Sequence, residues 1–136
     1  MKMRPVYLLN FEQAGDALRC AQRLQRAIHI HNARIPPSRE SLNIPPHRIA
    51  LDFGFVTPVL RAHGFDYAGK TLSRCARLIQ TAAENQILML NTFRDAVRPA
   101  FPFAWIDKRT ELRGAIEFKG LAGTYEIWEF DWKKND

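Results

Sequence analysis

The 136-residue chain is poor in the features that mark secreted, membrane-spanning and metal-binding proteins. Its two cysteines, Cys20 and Cys75, have no second cysteine or histidine at ligand spacing, so we predict two packed thiols instead of a disulfide or a metal site. No apolar run approaches the length of a membrane span. The first residues lack the architecture of a signal peptide, which predicts a cytoplasmic protein without membrane contact.

Internal repeats and low-complexity segments are absent as well. The four histidines lack ligand partners at a recognised spacing, and His29 and His31, two apart on a predicted helix, point to different faces. We therefore predict no metal site in this chain. A hydrophobic content of 46% and a charged content of 25% are ordinary for a globular protein, and the length fits a single domain over residues 1–136.

Positive charge is the one compositional surplus, at a formal net charge of +6, and it favours a phosphate-bearing partner. Part of the surplus has a simpler explanation. Arg19, Arg23 and Arg26 lie at i, i+4 and i+7, which predicts one solvated face of a helix, and residues 133–134 belong to a tail. The charge alone therefore does not identify a ligand.

Hydrophobic periodicity and turn residues predict strands and helices that alternate along the chain. The predicted elements are a strand over 5–10, a helix over 12–31, a long proline-rich loop over 32–47, a strand over 48–56, a hairpin return over 57–64, a helix over 69–84, a strand over 86–90, a helix over 91–98, a strand over 103–107 and two strands flanking 120–123. This alternation favours an α/β sandwich in which helices pack on a mixed sheet.

The most informative segment runs from residue 66 to residue 78. A turn at Gly69 opens a predicted helix, Asp66 lies just upstream, and Ser73 and Arg77 are four residues apart and so share one face. Such a group suits a nucleotide, because a carboxylate accepts from a base amine while a cation and a helix N-terminus hold phosphates. A solvated helix with an N-terminal acid would show the same pattern. The predicted buried stripe is a different set: Leu72, Cys75 or Ala76, Ile79 and Ala83.

Three cations of this helix, Lys70, Arg74 and Arg77, are predicted to share a face beside the same site. Each candidate also has a plainer role. Arg77 can pair with Glu84 or Asp66 on the surface, and Asp66 can cap the helix. Lys119 can simply flank a turn.

The segment resembles the class III adenylate and guanylate cyclase catalytic domain. The hallmark of that family is Asp, two residues, Gly, two residues, an aliphatic residue, Asn, three residues and Arg; Asp66, Gly69, Leu72 and Arg77 match it, and Ser73 stands where the family has Asn. Residues 48–56 resemble the family's strand of Arg, apolar residues, His, Gly and Val, with Asp52 where His is usual. Residues 86–98 and 117–121 resemble its closing strand, helix and Phe/Leu-Lys-Gly turn, so the likeness covers roughly residues 6 to 132.

The resemblance implies a ferredoxin-like class III nucleotidyl cyclase fold and an active site at the seam of a head-to-tail dimer. By position, Arg77 would be the transition-state cation on the α-phosphate of a purine nucleoside triphosphate, and Ser73 would take the place of the Asn that orients the ribose. Asp66 would recognise the base, Lys119 would contact the terminal phosphates, and Lys70 would add positive charge to this nucleotide-binding half.

Departures from the family pattern imply lost chemistry. The family's first metal-binding carboxylate lies upstream of the matching region, so the resemblance implies an N-terminally truncated domain. The second would fall at residues 2–5, where Arg4 has the wrong sign to hold a cation. The resemblance thus implies a chain that is catalytically degenerate alone, uses Mg²⁺ or Mn²⁺ only if a partner supplies the ligands, and acts as a dimerising or regulatory subunit, either as a homodimer or with a cyclase-like partner.

Two other functions remain open at this point. A small basic nucleic-acid-binding module would use aromatic residues that alternate on strands to stack bases, although the chain has no glycine-aromatic signature of an RNA-binding sheet. The aromatic residues in question are Phe53, Phe55, Trp128, Phe130 and Trp132. A purely structural dimerisation domain would keep the fold and bind no ligand.

Overall fold

The computed structural model describes residues 6–62 and 64–134, with side chains for all of these except 59, 61 and 64–68. Its helices are α1 (Ala14–Ala33), α2 (Lys70–Thr81), α3 (Asn91–Val97) and α4 (Trp105–Arg109), with short 3-10 helices at Pro37–Leu42 and Arg98–Ala100. Its strands are β1 (Ile49–Leu51), β2 (Thr57–Arg61), β3 (Gly64–Ala68), β4 (Ile87–Leu90), β5 (Thr110–Glu117) and β6 (Thr124–Phe130). The predicted α/β class is confirmed.

Four of the strands form one mixed sheet in the order β1-β4-β6-β5. The pair β1–β4 is parallel, because α2 makes the crossover between these strands, and the pairs β4–β6 and β5–β6 are antiparallel. Strands β2 and β3 form a separate antiparallel hairpin. All four residues of β4 are buried, as expected for a central strand that is covered on both faces.

The core is divided between the two faces of this sheet. Because successive residues of a strand point to opposite faces, Ile87 and Met89 pack with Leu18 of α1 and Phe93 of α3 on one face. On the other face the alternate β4 residues pack beneath α2 and the start of the β5–β6 turn. That second cluster contains Leu78, Ala82, Leu88, Leu90 and Phe118. Helices therefore cover both faces, and α2 is the helix that lies nearest the predicted site.

Two predicted strands are wrong. Residues 6–10 are not in a strand, and Val6, Tyr7 and Leu9 are exposed; a strand needs an edge to pair with, and no described strand pairs with this segment. Residues 103–107 form a turn and the start of α4, because Phe103 and Ala104 adopt left-handed backbone angles that end the extended run.

Two other predicted segments are altered. The strand predicted over 48–56 ends at Leu51, since the carboxylate of Asp52 accepts a hydrogen bond from the backbone N–H of Phe53 and the chain leaves the sheet. The loop predicted over 32–47 contains a short 3-10 helix, and Asn32 holds it to α1 through two hydrogen bonds with the backbone of Ile44, at 2.8 and 2.9 Å. Within the described ranges, none of the helices has the length and apolarity needed to span a bilayer.

The buried face of α2 differs by part of a turn from the predicted stripe. Leu78 and Ala82, the residue that directly follows the helix, are buried against β4, whereas Ala76 and Ala83 are exposed. Leu72, Cys75 and Ile79 are half-buried at the margins of that face. The apolar anchor of α2 therefore lies in its C-terminal half, which leaves the N-terminal half free to present side chains to the site.

Candidate functional site

Four of the five residues predicted to form the site line one open pocket. It has a volume of about 510 Å³ and lies between the first turns of α2 and the turn that joins β5 to β6. Its lining consists of Gly69, Lys70, Ser73, Arg77, Phe118, Lys119 and Leu121. The fifth predicted residue, Asp66, belongs to β3, and its side chain lies outside the described ones.

Gly69 sets the position of the α2 wall. Its backbone angles, φ 141° and ψ 171°, lie in a region that is essentially restricted to glycine, and a Cβ added there would lie 3.3 Å from the carbonyl oxygen of Phe55. The residue at the cap position is Gly69 itself, which has no side chain to cap the helix. The N-terminus of α2, with its partial positive charge, therefore borders the pocket.

The opposite wall is a tight turn after β5. Phe118 is buried there and anchors the turn, the backbone N–H of Leu121 donates to the carbonyl of Phe118 at 3.1 Å, and Gly120 has φ 83°. This turn leaves Lys119 exposed at the pocket. Among the lining residues, Lys70, Arg77 and Lys119 are cations and none is a carboxylate, so the pocket favours an anion.

Ser73 and Arg77 are both exposed on the pocket side of α2. The hydroxyl of Ser73 donates only a long hydrogen bond, at 3.4 Å, to the carbonyl of Gly69 one turn back, so it can turn to a ligand at little cost. Arg77 makes no ion pair with any side chain that the structure describes. A surface pair with Glu84 is thus not formed, and one with Asp66 concerns a side chain outside the described set.

Arg74 does not share the pocket face, contrary to the prediction from spacing. Its Nε donates to Oδ2 of Asp52 at 2.7 Å, and its guanidinium lies 5.0 Å from the centre of the Tyr125 ring. Asp52 also accepts from the hydroxyl of Thr92 and from the backbone N–H of Phe53. Burial alone lowers the pKa of Arg74, but the hydrogen bond and the charge of Asp52 outweigh it and raise the pKa above its usual value, so Arg74 stays charged.

The aromatic residues considered for base stacking are mostly engaged within the fold. Phe130 and Trp132 are buried, and Trp128 lies beneath the guanidinium of Arg94, at 3.8 Å from its ring centre. Phe53 and Phe55 are exposed, but they lie in the loop after β1 and not on the sheet. These five aromatic residues therefore do not form a stacking surface on the sheet.

A second open cavity, of about 620 Å³, was not predicted from the sequence. It lies at α4 and the preceding turn, and its lining consists of Asp95, Arg98, Pro99, Phe101, Ala104, Trp105, Ile106 and Asp107. Asp107 pairs there with Arg94 at 2.8 Å and with Arg98 at 3.1 Å, so much of its charge is neutralised. The stacked rings of Phe101 and Trp105, 4.5 Å apart, had no signal in the sequence beyond their own aromatic character.

Among the side chains that the structure describes, which do not include that of Asp66, no three acidic, histidine or cysteine groups lie close enough to hold a metal ion. The register that places Arg4 at a metal-binding position falls on residues 2–5, which are outside the described ranges. The two cysteines are free and half-buried.

Solved structures with the same fold are adenylate and guanylate cyclases. An adenylate/guanylate cyclase/hydrolase from Silicibacter pomeroyi superposes with a TM-score of 0.68 at 21% identity, over 88% of this chain and 63% of that one. Two adenylate cyclase structures from Trypanosoma brucei, solved in the monomeric state, match with TM-scores of 0.60 and 0.51 at 18% and 15% identity, over 87% and 94% of this chain. No protein-family model and no curated protein matches the sequence.

The chain therefore has the fold of the class III adenylate/guanylate cyclase catalytic domain, as the order of its motifs predicted. It spans about three fifths of the length of the structures that it matches, at 63%, 63% and 59%. At these identities the likeness concerns the fold, and what the pocket binds has to be argued from its own residues.

Proposed function

We propose that this chain is a class III cyclase-like domain that binds a purine nucleoside triphosphate in the pocket between α2 and the β5–β6 turn. The observation that carries the proposal is the lining itself. Lys70 and Arg77 come from α2, and Lys119 comes from a turn distant in sequence. The fold brings all three around one cavity that also borders the N-terminus of α2.

Each lining residue has a chemical role in this proposal. Arg77 neutralises charge on the α-phosphate, while Lys119 and Lys70 hold the terminal phosphates. The hydroxyl of Ser73 forms a hydrogen bond with the ribose where the family has the amide of Asn. A hydroxyl lacks the separate donor and acceptor ends of that amide. Asp66 accepts from the amine of the purine base. The cations supply most of the affinity because charge-assisted hydrogen bonds are the strong ones.

Divalent cations do not fit the lining that the structure describes. The charged side chains at the pocket are all positive, and a cation there repels Mg²⁺ or Mn²⁺. We propose that carboxylates of a partner chain would have to supply the metal ligands, and that the chain alone is catalytically degenerate. Its role is then to complete or regulate a cyclic-nucleotide signalling assembly as a homodimer or beside a cyclase-like partner.

Exposed apolar side chains near the pocket support an assembled state. The side chain of Phe55 is 99% exposed in the loop next to Gly69, and Phe53 is exposed in the same loop. Covering such groups is a common reason for association. Light scattering should show a dimer of the purified chain, or of the chain mixed with a cyclase-like partner; a monomer under both conditions would contradict this part of the proposal.

A titration with ATP and GTP, followed by nuclear magnetic resonance, tests nucleotide binding. Two or three charge-assisted contacts, offset by side-chain ordering, predict a dissociation constant on the order of 0.1–1 mM. Replacing Arg77 by Ala should weaken binding several-fold. Arg23→Ala is the matched control, because this substitution removes the same charge from an exposed position on α1, far from the pocket.

Two results would contradict the proposal. One is a titration in which resonances of residues 69–77 and 118–121 do not shift. The other is an equal loss of affinity in Arg23→Ala and Arg77→Ala, which would leave only generic attraction between a basic protein and an anion. A short single-stranded oligonucleotide serves as a competitor, because a nucleic-acid-binding module would prefer it to ATP.

A further inference from the structure

Directly behind the pocket wall lies a buried ion pair that the nucleotide proposal does not use. The side chain of Asp52 is 0% exposed and that of Arg74 is 11% exposed. Both oxygens of the Asp52 carboxylate are satisfied, Oδ2 by Arg74 and Oδ1 by Thr92 and the backbone of Phe53. The pair thus joins the end of β1 to α2 and α3.

Polar contacts hold the half of α2 that faces the pocket. The buried apolar residues Leu78, in the last turns of the helix, and Ala82, which directly follows it, lie at the other end. At the pocket end, the hydroxyl of Thr71 donates to the carbonyl of Phe55 at 3.2 Å, and the thiol of Cys75 contacts the carbonyl of Ala50 at 3.3 Å. Arg74, between them, makes the one charged contact of this half among the described side chains.

The same guanidinium also reaches towards the opposite wall. Arg74 lies against the ring of Tyr125, whose centre is 5.3 Å from that of Phe118 in an edge-on contact. Phe118 lines the pocket and directly precedes Lys119. Arg74 therefore joins α2 to Asp52 at the end of β1 and, through the ring of Tyr125, to the turn that presents Lys119.

We propose that Arg74, held by Asp52, is a positioning residue that fixes the rotation of α2 and so keeps Ser73 and Arg77 directed at the pocket, in register with Lys119. Arg74 is the residue after Ser73 and is three before Arg77, so a rotation of the helix moves all three together. Its effect on ligand affinity rests on the proposed nucleotide site. Its effect on the packing of α2 does not.

A physical argument favours positioning over stability as the role of this pair. A buried ion pair is commonly no more stabilising than apolar residues of the same volume, whereas removal of one partner leaves a costly unpaired charge. A neutral pair should therefore restore stability but not the directional contacts. Gln at position 74 can bond to Asn at position 52. It lacks the two terminal nitrogens of the guanidinium, of which Nη1 donates to the hydroxyl of Tyr125 and Nη2 donates to the carbonyl of Phe53.

The test compares Arg74→Gln, Asp52→Asn and the double variant, all with Cys20→Ser, without nucleotide and then with ATP. The first readout is alkylation of Cys75, which is half-buried beside the pair and in contact with Ala50. We expect the single variants to lose stability and the double variant to regain the urea midpoint of the parent. The charges of Asp52 and Arg74 also act on the pKa of the Cys75 thiol, so labelling rates are compared at full thiol ionisation, from their pH dependence. Cys75 labelling should nevertheless stay on the order of tenfold faster than in the parent, since the α2 packing is not restored.

The second readout is ATP affinity at several salt concentrations. The double variant should bind on the order of tenfold more weakly, because a small misplacement of binding groups is expensive. The slope of affinity against salt should equal that of the parent, since Arg74 does not touch phosphate, whereas Arg77→Ala should reduce the slope.

Each outcome decides between the claims. If the parent does not bind ATP, the nucleotide site is wrong, and Cys75 labelling still tests the packing of α2. Parent-like labelling and affinity in a double variant of restored stability would overturn the positioning role. Altered Cys75 labelling with unchanged ATP affinity would show that Arg74 affects the packing of α2 but not the pocket, and would overturn that part of the proposal. If the double variant does not fold, Thr92→Val removes one donor to Asp52 at nearly constant volume, and unchanged Cys75 labelling in it would overturn the proposal.

Discussion

Two glycine-to-alanine substitutions should change stability in opposite directions, and the sign follows from the backbone at each position. Gly69 has φ 141° and ψ 171°, and an added Cβ would lie 3.3 Å from the carbonyl oxygen of Phe55. Residues forced into this region cost about 1–3 kcal/mol each. Gly69→Ala should therefore lower the free energy of unfolding by about that amount.

Gly15 is the matched control. It lies in the first turn of α1, where its φ is outside the left-handed range, and an added Cβ would meet the Cβ of Ala100 at an ordinary 3.4 Å. Alanine is favoured over glycine in helices by roughly 0.5–1 kcal/mol. Gly15→Ala should therefore raise stability by up to that amount.

Urea unfolding followed by circular dichroism measures both changes. With a denaturant slope of about 1–3 kcal/mol/M, Gly69→Ala should lower the midpoint by roughly 1 M and Gly15→Ala should raise it by a few tenths. A midpoint for Gly69→Ala equal to or above that of the parent would refute the backbone argument, and with it the claim that this glycine determines where α2 begins. ATP affinity should fall in Gly69→Ala and not in Gly15→Ala, because only the first moves the pocket wall.

Three further predictions follow from burial, pKa and the pocket lining. Leu78→Ala should cost about 2–5 kcal/mol in urea unfolding and Ala83→Ser less than about 0.5, since Leu78 is fully buried and Ala83 is exposed; equal effects would show that the buried face of α2 is misassigned. Burial, aided by the charge of Asp52, raises the pKa of Cys75 to about 11, so iodoacetamide should alkylate it slowly at pH 8 and quickly only above about pH 10. Because the folded state favours the thiol, its contribution to stability is present below the usual thiol pKa of about 8.5 and is lost as the pH rises through about 11; fast alkylation at pH 8 would contradict this. Finally, the purified chain should form no cyclic AMP or cyclic GMP with Mg²⁺ or Mn²⁺, and metal-dependent turnover would show that its metal ligands were misplaced.

Much of this fold could be predicted from local sequence patterns. The 3.6-residue period of α1, the uninterrupted apolar run of β4 and the glycine that opens α2 are properties of neighbouring residues, and the structure has each element within a few residues of its prediction. The order of the motifs along the chain, which is also read directly from the sequence, predicted the cyclase fold. The site residues on α2 were found because a helix brings positions four apart to one face.

Pairings between distant segments were decided by tertiary structure. A run such as residues 6–10 has the composition of a strand, but a strand exists only where another edge accepts its hydrogen bonds. The turn at Phe103 and Ala104 likewise depends on left-handed backbone angles that alternation does not show. Lys119 and Arg77 line the same pocket because of the way the β5–β6 turn packs against α2. The family resemblance, and not the spacing of these residues, had predicted that they share a site.

Arg74 shows, within a single helix, the difference between what the sequence predicts and what tertiary packing decides. Its spacing from Lys70 and Arg77 predicted a shared basic face, yet its side chain turns inward to Asp52, which the sequence places in another element. Helical periodicity determines which residues can share a face, because it follows from local geometry alone. Which of them reach the solvent depends on the charges and rings that distant segments place beneath the helix. Here the buried carboxylate of Asp52 pairs with Arg74, so only Lys70 and Arg77 of the three cations line the pocket.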